Sequence, residues 1–360
     1  MGGRPPGSEI HRMILLTFRD LVYRRTRFIV VTILGAVVFA LLFVMTGLVN
    51  QFNLEPADTV EQFGAEHWVL PEGVTAPFTS VSVMPAAAFD AVDAATKSPV
   101  VITRSSVARG DGEAPEEVVL VGFEPGGIGA PEVVEGRAPE VEGEVSLDRT
   151  LGIDVGTEIT MSGKPLTVVG LTTDTTVLAG IPFAFLVLPE AQMLAFTTTE
   201  VIGAVLVSGE LGPLPEGLAS VSSDEVVAQT LQPLDGAIAS IDLVRALLWV
   251  VAAIIVGAVV YLSALDRQRD FAVLKAVGTP NSSLLGSLAV QAVLIALGAV
   301  ALAAIIQIFL APRFPLPVTV PARAFWQLPL LAVLMALAAG AIGMRKVLRS
   351  DPSQAFSGAA

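Results

Sequence analysis

The sequence predicts an integral membrane α-helical bundle of four transmembrane helices carrying an α+β extracytoplasmic domain, and three observations lead there. Of 360 residues, 53% are apolar and only 15% charged, with a mean hydropathy of +0.72, a composition that soluble chains rarely show. The apolar residues gather in four blocks, each long enough to supply the about 20 residues of helix that cross a hydrocarbon core. Between the first two blocks lies a long stretch of different texture, strongly acidic and broken by Gly and Pro.

Residues 1–27 carry six Arg against Glu9 and Asp20. Their apolar set, Ile14, Leu15, Phe18, Leu21 and Val22, recurs at steps of three and four and predicts an amphipathic helix on the cytoplasmic face. The first span is 28–50. A cleaved signal would have an apolar region of about 7 to 15 residues before a small-residue site, whereas Phe28 to Val49 runs longer and is followed by Asn50-Gln51-Phe52-Asn53, so it reads as an uncleaved anchor. Residues 51–240 form the outer domain, with 28 acidic against 6 basic residues, a net of −22. Val118 to Phe123 reads as a strand, and Glu158 to Met161, Ser162-Gly163 and Lys164 to Val169 as a hairpin. A further strand pair is expected at Phe183 to Leu188 and Ala204 to Val207. Helices are expected at Ala86 to Ala95 and Pro189 to Phe196, which makes the domain α+β. The remaining spans are 241–265, 283–311 and 325–344. They are separated by a cytoplasmic segment, 266–281, and a short external loop, 312–324, and the chain closes with a cytoplasmic tail, 345–360.

Charge orients the bundle. Basic residues flanking membrane spans stay cytoplasmic, and they sit in the N-terminal segment, in the middle segment (Arg267, Arg269, Lys275) and in the tail (Arg345, Lys346, Arg349). Four spans put these three segments on one side. The loop 312–324 runs against the bias, since Arg313 and Arg323 stand there without an acid, yet parity places it outside. Arg245 lies one turn inside the second span and reads as an interfacial anchor. No other acidic or basic residue sits in mid-membrane, so the intramembrane charges that mark proton or ion pathways are missing. Ala253 with Gly257 and Ala336 with Gly340 have the small-xxx-small spacing that allows close helix contact.

The chain has no cysteine, which rules out disulfides, thiolate metal sites and a cysteine nucleophile. The acidity of the outer domain argues against nucleic acid as a partner. G-x-S-x-G and H-E-x-x-H are absent. Of the two histidines, His11 and His67, His67 beside Trp68 reads as an ordinary surface residue, the alternative being contact with an amphiphile or a haem iron. The nearest approach to a phosphate-binding loop ends at Gly163-Lys164, but Glu158 takes the place of the first glycine and Pro165 that of the Ser/Thr. The chain is therefore expected not to be an enzyme, and to hold neither metal nor cofactor.

The most informative stretch runs Leu265-Asp266-Arg267-Gln268-Arg269-Asp270-Phe271-Ala272-Val273-Leu274-Lys275-Ala276-Val277-Gly278-Thr279-Pro280. A charged start, apolar Phe271, Leu274 and Val277 at steps of three, and a Gly-Thr-Pro stop describe a short amphipathic helix. Such a helix can dock in a groove on a partner or lie on lipid headgroups.

Arg267 to Gly278 resembles the segment R-x-x-[DE]-[FIL]-A-[VLI]-L-[KR]-A-[VIL]-G of the permeases of the FtsX, MacB and LolC/LolE type, a family with DevC-like members. The tail, Met344-Arg345-Lys346-Val347-Leu348-Arg349-Ser350-Asp351-Pro352-Ser353-Gln354-Ala355, is similar to that family's basic ending followed by D-P-x-x-A. In the outer domain, Glu135-Gly136-Arg137, Gly143-Glu144-Val145, Leu151-Gly152-Ile153 and Val155-Gly156-Thr157 resemble its MacB-like extracytoplasmic core. The resemblance implies an FtsX-like ABC transporter permease of a bacterial cell membrane, with both termini cytoplasmic. It makes 266–281 the coupling helix, and Arg267, Arg269, Asp270, Phe271, Leu274, Lys275, Val277 and Gly278 the residues that meet an ABC ATPase. That ATPase is a separate subunit in two copies and binds the ATP and Mg. A second, identical permease subunit, membrane lipids, and an adaptor, lipoprotein or wall hydrolase are the other partners implied. The expected function is export or extracytoplasmic handling of an amphiphile (lipid, peptide, drug or haem) by mechanotransmission. The alternative is a non-transporting regulator of a cell-wall hydrolase, or an antimicrobial sensor.

Overall fold

The computed structural model describes residues 25–74, 76–110, 114–266, 281–314 and 316–348. The amphipathic segment before Arg25, the segment 267–280 and the end of the tail lie outside the described residues. The chain divides into a helical unit, drawn from both ends (to Asn50 and from Ala239), and a sheet unit, Gln51–Ile238.

The helical unit is built from α1 (Arg25–Gln62), α5 (Asp235–Asp266), α6 (Asn281–Leu310) and α7 (Ala324–Leu348). Among the described residues, three helical stretches are long and apolar enough to cross a membrane, Ile29–Gln62, Ser223–Ala258 and Ala289–Arg313, and a shorter apolar helix covers Ala324–Ala338. Helical spacing explains the packing. Ala36, Phe39, Ala40 and Phe43 share one face of α1, Ala292, Ala296, Ala299 and Ala303 one face of α6, and Ala324, Leu328, Ala332 and Ala336 one face of α7; all are buried together. Small residues let the backbones approach: a Cβ added at Gly35 would lie 3.2 Å from that of Ala299. Among the described residues of α5, Ala252 and Val256 are buried, each one position before the Ala253 and Gly257 expected at a helix contact, which are half-buried. Leu243, Leu247, Val250 and Ile254 of α5 form an exposed apolar stripe. Arg245 pairs with Asp242 at 2.6 Å, one helical turn away. Arg313, the residue that broke the charge bias, donates to the Phe309 carbonyl at the end of α6, where a cation complements unpaired carbonyls.

In the sheet unit the strands are β1 (His67–Pro71), β2 (Met84–Pro85), β3 (Ala94–Arg109), β4 (Glu116–Phe123), β5 (Glu135–Gly136), β6 (Glu144–Asp148), β7 (Glu158–Met161), β8 (Lys164–Thr172), β9 (Thr176–Val177), β10 (Ile181–Val187), β11 (Val201–Ile202), β12 (Ala204–Leu211) and β13 (Leu218–Ser222). The main sheet runs β13-β1-β12-β3-β4-β10-β6-β8-β5, and β7 bridges β3 and β8. The pairings β3–β4–β10–β6–β8–β7–β3 therefore close a six-stranded ring. Val118 and Leu120 feed the core inside the ring, with Val101, Leu147, Met161 and Leu186. Val119 and Val121 feed the opposite face, with Trp68, Phe78, Phe183 and Phe185. Burial on both faces is why Val118 to Val121 is an unbroken apolar run without strand alternation. The second core holds an aromatic cluster, with Phe63 at 5.2 Å from Trp68 and Phe78 stacked on Phe183 at 6.0 Å; such pairs add about 0.5 to 1.5 kcal/mol each beyond burial.

Local chemistry accounts for the turns and caps. Ser162 and Gly163 have φ of 50° and 81°, the two positive values that a two-residue type I′ hairpin needs, so β7 and β8 pair as expected. The helix α3 (Leu188–Phe196) follows β10 directly with Pro189 in its first turn. Ser222 and Glu225 form a reciprocal capping box that starts α4 (Ser223–Leu231).

Two expectations are corrected. Residues Ala86 to Ala95 form only one turn, α2 (Ala88–Ala91), because Ala94 onward pairs with β12. The strands at Phe183 and Ala204 both form but do not pair with each other: β10 lies between β4 and β6, and β12 between β1 and β3. The helix that carries the expected span 28–50 continues past it to Gln62, and its residues from Gln51 belong to the sheet unit.

Candidate functional site

The expected ATPase-contacting residues, Arg267, Arg269, Asp270, Phe271, Leu274, Lys275, Val277 and Gly278, all lie outside the described residues. The described chain reaches Asp266 at the end of α5 and resumes at Asn281, where α6 starts.

The short motifs noted in the outer domain converge on the ring. In Glu135-Gly136-Arg137, Gly136 faces Gly170 across β5 and β8. A Cβ on Gly136 would come 2.2 Å from the Val169 carbonyl oxygen, and one on Gly170 2.2 Å from that of Arg137, so neither position admits a side chain. Arg137 then grips Glu144 with both Nη atoms, one at 2.7 Å. This fork, with the Glu140 N–H at 3.0 Å, holds the Glu144 carboxyl far below its ordinary 4.5, at about 2. Gly152 closes a 3-10 turn (Arg149–Leu151) at φ 63°. Gly156, at φ 91°, donates to the Val168 carbonyl. Glu190, buried on α3, accepts from Gly143 N–H at 2.6 Å and from Lys164 at 2.5 Å, so the lysine expected in a hairpin turn also ties that turn to α3.

A second constellation was not anticipated from the sequence. Glu55, Thr59 and Gln62 stand at i, i+4 and i+7 on the last turns of α1, one face of the helix. The buried Glu55 carboxylate accepts from Thr176 Oγ1 at 2.6 Å and from the backbone N–H groups of Ala179 and Gly180 at 2.8 Å each. Thr59 Oγ1 donates to the Thr176 carbonyl at 2.5 Å, and Gln62 Nε2 to the Asp174 carbonyl at 3.1 Å. From the other side, buried Asp148 accepts from both the N–H and the hydroxyl of Thr175, at 2.8 and 2.7 Å. The loop so held is left-handed at Asp174, Leu178, Ala179 and Gly180, and the non-glycine members each cost on the order of 1–3 kcal/mol. Successive N–H groups in such a turn form a nest that suits an anion, here occupied by Glu55. The only sequence signal was the stripe itself, a polar set at helical spacing just after a long apolar run.

An open groove of about 110 Å³ is lined by Phe78, Val81, Ile102, Arg104 and Val119, with Arg104 paired to Glu117 at 2.7 Å. His67 is half-buried within β1, between Val207 and Ser222. Trp68 is fully buried, its Nε1 donating to Ser223 Oγ, so its ring is core and not surface.

The family model described as FtsX-like permease C-terminal matches residues 243–352, which include the middle segment and most of the last three helices. An uncharacterized ABC transporter permease of Mycobacterium bovis is 38% identical over 351 residues, covering 96% of this chain and 100% of the relative. Another, of Mycobacterium tuberculosis, is 36% identical over 350 residues, again covering 96% and 100%. Among solved structures, the periplasmic region of MacB from Actinobacillus actinomycetemcomitans aligns with a TM-score of 0.34 and 11% identity, over 49% of this chain and 97% of that one. With a relative matched along its whole length and the family's C-terminal region recognised, the chain belongs to the FtsX-like ABC transporter permeases.

Proposed function

We propose that this permease works by mechanotransmission. Four helices span the membrane, with Gln51–Ile238 outside and residues 266–281 inside. The inner segment seats in a cleft of the ATPase partner through Phe271, Leu274 and Val277. Closure of two ATPase copies on ATP and Mg moves the helices of two permease subunits, and the movement reaches the outer domains, which expel or hand on an amphiphile that enters from the outer leaflet or the outer compartment. The observation that carries this reading is the character of the helical core. Among the described residues its buried polar side chains are Gln291 and Gln307, both uncharged, and the rest of its packing is aliphatic and aromatic, Ala, Val, Leu and Phe with Ile, Met and Trp at the margin. A polar or ionic substrate would need fixed polar partners along its way, and the helices are packed instead to move as bodies. The groove beside Phe78 and Arg104 is a place for an amphiphile's apolar part.

The test is ATP hydrolysis by the permease with its ATPase partner in lipid nanodiscs, titrated with a phospholipid, an amphipathic peptide, a macrolide and haem. Stimulation by at least one of them is expected, reduced by Val81→Asp in the groove. A full panel without effect on hydrolysis counts against an amphiphilic substrate.

A further inference from the structure

Glu55 sits where the last turns of α1 meet the loop before β10. The carboxylate is buried, 3% exposed, yet its partners are neutral donors. Burying a charge against neutral groups is costly, and the loop that supplies two of those donors is itself held in left-handed backbone. Pro56, the next residue, deletes one backbone hydrogen bond of α1 at this level, so the final turns of the helix rely on what they touch. Glu55, Thr59 and Gln62 bind one loop along one face, while Val60 packs into the aromatic core.

That loop leads directly into β10, which begins at Ile181. Phe183 and Phe185 of β10 belong to the aromatic core, and Ala184 and Leu186 to the core of the ring. A displacement of the loop is therefore delivered to the strand that both cores share. The apolar stretch of α1 precedes this grip in one unbroken helix.

We infer that Glu55 is a positioning residue of the transport cycle: through the nest at Ala179 and Gly180 it fixes the end of α1 to the loop before β10, so that movement of the helix is imposed on the outer domain. Thr59 and Gln62 act with it. A clasp that only stabilised the fold would give the same loop protection in every nucleotide state. The inference rests on the mechanotransmission reading.

Hydrogen exchange by mass spectrometry on the full permease with its ATPase partner in nanodiscs separates the two. Peptides covering residues 172–181 are compared without nucleotide and with ATP and vanadate. In the wild type, nucleotide trapping is expected to change exchange of the Ala179 and Gly180 amides. In Glu55→Ala those amides should exchange about tenfold faster without nucleotide, and the response to trapping should vanish while basal ATP hydrolysis persists. A variant that keeps the wild-type response to trapping overturns the role of Glu55 and leaves mechanotransmission standing. A wild type whose sheet unit shows no response anywhere overturns mechanotransmission, and the inference with it. If Glu55→Ala loses protection throughout β4 and β10, it has unfolded. Thr59→Val and Gln62→Ala, each removing one hydrogen bond, then decide: a diminished response supports the grip, and an undiminished one overturns it.

Discussion

At the scale of single residues, the chemistry of the sheet unit is concentrated in carboxylates that have been given specific partners. Glu144 is the clearest case. Its folded pKa of about 2 lies below its ordinary 4.5, so its contribution to stability is fully present above about pH 4.5 and is lost as pH falls through about 2. Glu144→Gln removes that dependence. The expected result is an unfolding midpoint of the outer domain that declines less steeply between pH 4.5 and 2 than in the wild type. Trp68 fluorescence in a Trp249→Phe, Trp326→Phe background would follow it, and equal slopes would show that the Arg137 fork contributes nothing. In the sequence Arg137 and Glu144 stood out only as members of two separate family-like motifs, seven residues apart, and nothing there paired them. The contact of Glu55 with Thr176 joins residues 121 apart, and no local pattern announces which polar groups a fold will bring together.

At the scale of elements, the helices were legible because each apolar block exceeds a span, and the hairpin because Ser162-Gly163 suits one turn type. Polar residues gave no such signal: α1 runs on past its apolar stretch through Glu55, Pro56, Asp58 and Glu61, with Glu55 bound by the loop before β10. Ala86 to Ala95 has helical composition, but strand pairing with β12 captured its end, as tertiary contacts override weak propensity. A tight junction inside the helical unit was equally silent: the loop before α7 lies on α1, with Asn50 Nδ2 donating to the Thr319 carbonyl and Gly47 leaving room for Val318. For the middle segment, the amphipathic pattern carries the expectation. Truncating Phe271 and Leu274 together to Ala should remove about 1.5 to 3 kcal/mol per side chain if both insert in the ATPase cleft, weakening copurification of the ATPase by two orders of magnitude or more. Membrane insertion should be unchanged, because neither residue lies in a span. Unaltered copurification would reject the coupling role.

At the scale of the whole molecule, two units of different physics share one chain. The helical unit packs through small residues and keeps exposed apolar stripes on α5, as a lipid-facing or subunit-facing helix does. The sheet unit closes a ring over two aliphatic and aromatic cores without a single disulfide. If motion passes from one to the other, the sheet unit is where work on the substrate is done, and the helices alone should be idle. Replacing residues 66 to 222 by a flexible Gly/Ser linker keeps α1 and α5 entire together with 266–281. That chain is expected to insert and to bind its ATPase, since the proposed mechanism assigns both properties to the helices and the segment between them. It should hydrolyse ATP at the basal rate and fail to extrude a labelled amphiphile from proteoliposomes, where the intact chain succeeds. Extrusion at the intact rate would mean that the spans themselves carry the substrate, and mechanotransmission would give way to a path through the membrane helices.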